Sequence, residues 1–261
     1  PISPPIMPGW EGYPVRERFA DQHNVPVWVD NDVNIMALGE WRSGLANGHD
    51  DFMFVKVGTG IGCGFVSNGR IHRGAQGSAG DIGHVQVASE ERQICRCGKI
   101  DCLESHAGGA ALAREGTRLA ENGESERLAT VLRERGSITA REVIRAARVG
   151  DPASARLLDQ SARLVGQTLA SLANFFNPSL IVVGGGVARA GDAYLATIRQ
   201  VIYARSTALA TRELLVQLSR LGNRAGVIGG ASMVLDEHYS AHQLAAWIDE
   251  GRPAALLETA A

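Results

Sequence analysis

The chain has 261 residues, 45% apolar and 21% charged, with a formal net charge of -2; it can bury one large core or two modest ones. That charge balance excludes a basic nucleic-acid surface in the chain itself, so DNA contact is expected only through an N-terminal domain outside it. No apolar run reaches the roughly 18 residues of a membrane span, and PISPPIMPGW has neither the basic start nor the apolar stretch of a secretory signal; the expectation is a cytoplasmic protein with no membrane partner. The opening lacks an initiator Met and lies in a Pro-rich segment, which reads as a fragment.

In chain order, residues 15–23 predict a short amphipathic helix, and Val25-Pro26-Val27-Trp28-Val29 a buried β-branched strand. The strand is expected to end at Asp30-Asn31-Asp32, polar groups at a strand's C-terminal edge, before a helix over 33–44. Three strands follow at 51–57, 62–67 and 70–73, joined first by Gly58-Thr59-Gly60 and then by Asn68-Gly69, a strong type I′ hairpin signal. Residues 74–83 form a glycine-punctuated loop, and 85–88 are a candidate strand leading into a cysteine cluster.

From 104 to 176 the pattern is helical. Thr139-Ala140-Arg141-Glu142 is a capping-box signature, and Asp151-Pro152 an N-cap with Pro at N1 opening one long helix over 151–176. Asn177-Pro178 stops that helix, 180–183 is a buried strand, and Gly184-Gly185-Gly186 turns the backbone toward a helix at 192–205. A strand at 214–218 and a helix at 226–235 follow; residues 238–261 are a docked helix or a frayed end. A meander, then helices, then strand-helix-strand-helix is an α/β order.

Four cysteines are too few for a disulfide scaffold in a chain this long, and three of them fall within eight residues. His84, Cys95, Cys97 and Cys102 supply one imidazole and three thiolates, the ligand set of a closed tetrahedral structural zinc site. Free, reduced cysteines are the alternative; Gly98, which lets the loop fold round an ion, favours metal. Cys63, between Gly62 and Gly64, is expected to be a small core residue.

Several segments resemble the ROK family of bacterial sugar kinases and sugar-responsive repressors: DNDVN at 30–34, VGTGIGCG at 57–64, GSAGDIGH at 77–84, CRCGKIDCLE at 95–104 and NPSLIVVGGGV at 177–187. The resemblance implies an actin/hexokinase-like (ribonuclease-H-like) fold in two lobes, with a homo-oligomeric assembly, dimer or tetramer. Residues 1–49 would be the remnant of an incomplete N-terminal lobe, 50–237 the C-terminal lobe with its zinc loop, and 238–261 a tail. A small-molecule sugar would bind through Asn31, Asp32, Asp81, His84 and Glu104, with His84 also on zinc and Asp32 the general base in a kinase. Gly58, Thr59 and Gly60 resemble a phosphate loop, and Gly184, Gly185 and Gly186 the adenosine-side loop, for ATP and Mg²⁺ if the protein is a kinase. These roles suit the chemistry: carboxylates accept hydroxyl hydrogen bonds with charge-assisted strength, and a single Asp suffices to deprotonate one hydroxyl.

Three features depart from the family's kinases. The N-terminal Asp-x-Gly-Gly-Thr phosphate loop is absent from the chain, Asp81 stands where kinases usually carry Glu, and Asp101 replaces a common Gly, where a positive φ would suit Asp better than most residues. The first two departures and the tail favour the effector-sensing C-terminal part of a transcriptional regulator whose helix-turn-helix lies upstream. The alternative is a fragment of an ATP-dependent hexose or N-acylhexosamine kinase.

Overall fold

The computed structural model describes residue 7, residues 9–89 and residues 91–251. Its first elements are helices α1 (Val15–His23) and α2 (Asp32–Ser43), then strands β1 (Phe52–Val57), β2 (Ile61–Ser67) and β3 (Arg70–His72). Five helices follow: α3 (Leu103–Ala107), α4 (Gly109–Glu121), α5 (Glu126–Arg135), α6 (Ala140–Arg148) and α7 (Pro152–Phe176). The chain continues through β4 (Leu180–Gly184), α8 (Asp192–Arg205), α9 (Ala208–Thr211), β5 (Leu215–Leu218), α10 (Arg224–His238) and α11 (Ala241–Glu250).

The strands form one sheet in the order β3-β2-β1-β4-β5, antiparallel through the meander and parallel from β1 to β4 to β5. This is the ribonuclease-H-like sheet expected of an actin/hexokinase-like lobe. Asn68 and Gly69 have φ of 48° and 66°, the left-handed pair that a type I′ turn requires. β1 is apolar on both faces because helices cover both. Its alternation sends Met53, Val55 and Val57 into a core with α7 and α8, and Phe52 and Phe54 into a second core with Ala37 of α2. Phe54 is fully buried, which stabilises the fold by about 1.5–3 kcal/mol. Lys56 has the same parity as Phe54, so it leaves the sheet on the side of α2.

Helix α2 lies almost directly on backbone. A Cβ on Gly64 would come within 2.6 Å of the Val33 carbonyl oxygen and 2.8 Å of the Ala37 Cβ, and Gly39 and Gly229 allow α2 and α10 to cross with main chains nearly touching. Helix α7 begins as its sequence demands, with the Asp151 carboxylate accepting from the Ser154 N–H at 2.9 Å and Pro at its first position. The capping box at Thr139 and Glu142 is complete, and Asn177 closes α7 at φ 52°.

Two expectations change. Residues 25–29 form no strand, and Val25 and Val29 are each 50% exposed: a β-branched run makes no ladder without a neighbouring strand, and none of the described residues supplies one. Residues 85–88 contribute only an isolated bridge, Gln86 to Cys102. The tail, where described, is a docked helix: α11 buries Gln243, and Trp247 packs at 5.0 Å from His238 and 6.1 Å from Tyr239, ring centre to ring centre. The tail residues 252–261 lie outside the described ones.

Candidate functional site

The metal cluster is assembled from three local devices. A single 3-10 turn, Ile82–His84, carries the histidine. Gly98, at φ 84°, donates its N–H to the Cys95 carbonyl at 2.9 Å, while the Cys95 N–H reaches the Lys99 carbonyl at 2.8 Å, so Cys95 and Cys97 share one tight loop. Cys102 is the N-cap of α3. The four ligand atoms of His84, Cys95, Cys97 and Cys102 lie within 4.8 Å of one another. Cys97 Sγ and Cys102 Sγ are 3.6 Å apart, and Cys95 Sγ is 3.7 Å from His84 Nδ1.

The Cys97–Cys102 and Cys95–His84 separations are close to the edges of a tetrahedron about zinc, about 3.8 Å sulfur-sulfur and 3.6 Å sulfur-nitrogen from bond lengths near 2.3 and 2.0 Å. Burial, with hydrogen bonds to the neighbouring thiols, pushes Cys102 up to about 12, and burial likewise raises Cys95. A bound Zn²⁺ would reverse this preference and hold the thiolates. Cys63 is a separate, fully buried thiol raised by desolvation, the core residue expected.

Asp101 adopts φ 59°, the left-handed conformation foreseen from the missing glycine. Its carboxylate accepts from the Gln93 N–H at 2.8 Å and from His106 Nε2 at 3.0 Å, and these two bonds, the backbone one first, hold it below the usual carboxylate range. The residue thus clamps the cysteine loop to α3 from behind.

Glu104, in the first turn of α3, joins the metal cluster to the strand turns. One carboxylate oxygen is 3.6 Å from Cys95 Sγ, and the other faces the Ile61 N–H at 3.4 Å. A side chain on Gly60 would strike that second oxygen, and one on Gly83 would meet it at 3.2 Å. Glu104 is therefore no solvated loop acid. The Gly58-Thr59-Gly60 turn is closed by Gly58 N–H to Gly60 O at 2.9 Å, and its Gly58 and Thr59 carbonyls accept from Gly109 and Ala110 at the start of α4. Asp81 is exposed; its backbone N–H donates to the Ser78 carbonyl at 3.4 Å and its own carbonyl accepts from the His84 N–H at 3.1 Å, while its carboxylate makes no hydrogen bond or ion pair among the described residues.

At the start of α2 the cap is Asn31, whose Oδ1 accepts from the Val33 N–H at 3.0 Å. Asp32 occupies the first helical position with its carboxylate largely in solvent and ion-paired to Lys56 Nζ. Asp30 is committed elsewhere, to Arg73 through both Nε and Nη2 and to Asn34 Nδ2 at 2.9 Å. Sequence reasoning overlooked Lys56 and Arg73; the one charge in the apolar run FMFVKV was the available signal for Lys56. On the other side of β1, Gly185 has φ 94° and approaches Val57 too closely for any Cβ, and Gly184 packs against Phe54. Packing therefore accounts for these two glycines, whereas Gly186 has open space around it. Both glycine turns leave the C-terminal ends of adjacent parallel strands, β1 and β4, the edge where open α/β sheets bind ligands.

This sheet, with α2 across one face and long helices across the other, defines the actin/hexokinase-like class. The chain belongs to the ROK family, whose family model matches residues 2–237. It is 38% identical over 232 residues to a glucokinase of Halalkalibacterium halodurans, covering 89% of this chain and 70% of that protein. It is 32% identical over 231 residues to a xylose repressor of Caldicellulosiruptor bescii, covering 88% of this chain and 57% of the repressor. Among solved structures, a ROK family glucokinase from Streptomyces griseus in complex with glucose and AMPPNP superposes with a TM-score of 0.77 at 33% identity, covering 86% of this chain and 73% of that one. Enzymes and repressors thus both stand among the relatives. No helix among the described residues is long and apolar enough to cross a membrane.

Proposed function

We propose that this chain is the sugar-binding and phosphoryl-transfer part of a zinc-braced, ATP-dependent hexose kinase. The observation that carries the reading is the position of Asp32: its carboxylate is exposed and linked through Lys56 to the strand that ends in the Gly58-Thr59-Gly60 turn. A base beside a phosphate turn is what transfer needs and what a sugar sensor does not. Asn31, Asp32, His84 and Glu104 would hold sugar hydroxyls, with Asp81 reaching them directly or through water. One hydroxyl gives its proton to Asp32 as its oxygen bonds to the terminal phosphorus of Mg·ATP and the bond to ADP breaks. Zinc on His84, Cys95, Cys97 and Cys102 would fix both the turn bearing His84 and the start of α3 bearing Glu104 without entering the chemistry. Gly186, open to solvent, suits the approach of the nucleotide. The glucokinase relative supports this reading, which places transfer ahead of the sensing role favoured by the departures in sequence.

A second reading rests on Asp81, whose side chain is one methylene shorter than that of Glu and has no partner among the described residues, and on the repressor relative: the same residues would bind sugar as an effector, with DNA contacted by a domain outside this chain. The test is sugar-dependent ADP release by the full-length protein, with Asp32→Asn beside the parent. Transfer predicts a loss of about 10²-fold or more in kcat for Asp32→Asn, with sugar affinity by calorimetry largely kept. Sugar binding with no ADP release in the parent would leave the effector reading standing instead.

A further inference from the structure

We infer that Lys56 is a phosphate-holding residue of this site, its ammonium receiving the terminal phosphoryl group of the nucleoside triphosphate while it remains beside Asp32. The inference rests on the transfer reading and adds to it a residue that the sugar and metal motifs do not include. Three observations carry it. Lys56 stands two residues before Gly58, and its stem crosses that glycine, with Cε 3.2 Å from where a Cβ on Gly58 would be. Its head then pairs with Asp32, so a cation sits between the base and the phosphate turn.

The second observation is commitment. Arg73 spends both Nε and Nη2 on Asp30, whose side chain is only 11% exposed, whereas the partner of Lys56 is 65% exposed. An ion pair so open to water is easily exchanged or shared. The third is charge. Asp32, Asp81 and Glu104, the acids that the transfer reading puts at the sugar, would make that site anionic, and a triphosphate entering it would need positive charge close to the transferring group.

An ammonium has three donors. One can stay on Asp32 while the others reach phosphoryl oxygens, which brings base, hydroxyl and phosphorus into one arrangement. During transfer the sugar oxygen bonds to phosphorus, the bond from phosphorus to the ADP oxygen breaks, and the hydroxyl proton passes to Asp32. Lys56 keeps its own protons and only follows the phosphoryl charge.

The experiment compares parent, Lys56→Met and Lys56→Arg full-length protein. Calorimetric affinities for AMPPNP and ADP are measured with Mg²⁺ and saturating glucose, alongside kcat for sugar-dependent ADP release and zinc content as a check on folding. A contact to the terminal phosphate predicts that Lys56→Met weakens AMPPNP about tenfold while ADP changes less than about threefold, and that kcat falls about 10²-fold. Lys56→Arg should recover part of both, because it restores charge. If the parent transfers phosphate but Lys56→Met binds both nucleotides and turns over like the parent, the inference is overturned and the kinase reading survives. If AMPPNP and ADP weaken equally, Lys56 does not meet the terminal phosphate and the inference fails. A parent that binds neither nucleotide nor transfers phosphate overturns both.

Discussion

Replacing Gly83 by alanine asks whether the metal turn and the phosphate turn move as one unit. Gly83 has no left-handed φ, so alanine can adopt its backbone and the cost is purely one of space. The new Cβ would press on the Ile61 carbonyl, a main-chain atom, far inside the 3.0 Å that real Cβ atoms keep, and would sit 3.2 Å from Glu104 Oε2. Neither neighbour yields cheaply: Ile61 begins β2, and Glu104 is hemmed by Gly60 and Cys95. Overpacking of this kind costs about 1–3 kcal/mol, and the turn must lift by roughly 1 Å, a displacement that can cost about 10²-fold at an aligned site. His84, the next residue, carries that shift to metal and sugar together. Denaturant unfolding, zinc content and glucose calorimetry on Gly83→Ala are expected to report lower stability, faster zinc loss and weaker sugar binding at once. Parent-like sugar affinity in a measurably destabilised Gly83→Ala would refute the coupling; parent-like stability would refute the packing argument beneath it.

Gly186, at φ -65° and ψ -35° with nothing near its Cβ position, gives the opposite expectation. Gly186→Ala should keep stability or gain about 0.4–1 kcal/mol through the unfolded chain, while nucleotide affinity by calorimetry falls if the turn abuts a nucleotide. At Asp101, zinc release to a chromophoric chelator should be slowest in the parent, faster in Asp101→Gly, which loses the clamp but tolerates φ 59°, and fastest in Asp101→Ala, which loses both. Asp151 is held below its ordinary value: desolvation raises it, but bonds from Ser154 and Ser125 outweigh that. A depressed folded value means stability that is present above the unfolded range near 4 and lost as pH falls through the folded value. Asp151→Asn keeps the cap but not the charge. Unfolding midpoints should therefore favour the parent by about 1 kcal/mol near pH 6, and the two curves should converge toward pH 3.

What was legible in the sequence was local. Asn68-Gly69, Thr139 with Glu142, and Asp151-Pro152 each specify backbone geometry within four residues, and each adopts it. The cysteine spacing converges on His84 because Gly98 and the left-handed Asp101 turn the loop back within a few residues. What escaped was decided by distant partners. The run Val25 to Val29 has strand composition, but pairing belongs to a neighbour and not to the run. Helix α2, expected over 33–44, begins one residue earlier, at Asp32 with Asn31 as its cap, because its start depends on where the first helical turn closes. Glu104 was expected among the sugar-binding residues by resemblance, but only the fold shows its seat against Gly60 and Gly83. Lys56 was hidden by a strong strand pattern, in which a single charge passed as interruption instead of chemistry.

The bare-backbone seat of α2 has a wider consequence. With Gly64 beneath it and Gly39 against Gly229 beside it, the helix that Asn31 caps and Asp32 begins has almost no side-chain cushion through which to shift, so these two side chains stand at a nearly fixed point of the sheet. His84, on its 3-10 turn, and Glu104, in the first turn of α3, instead flank a loop shaped by the four candidate metal ligands and the Asp101 clamp. Divergence among relatives can therefore alter the loop side, residue by residue, to suit a new sugar, or leave the sugar in place and discard transfer, without rebuilding the seat. One scaffold of this kind accommodates both the enzymes and the repressors among the relatives, with the α2 side rigid and the cysteine-loop side free to vary.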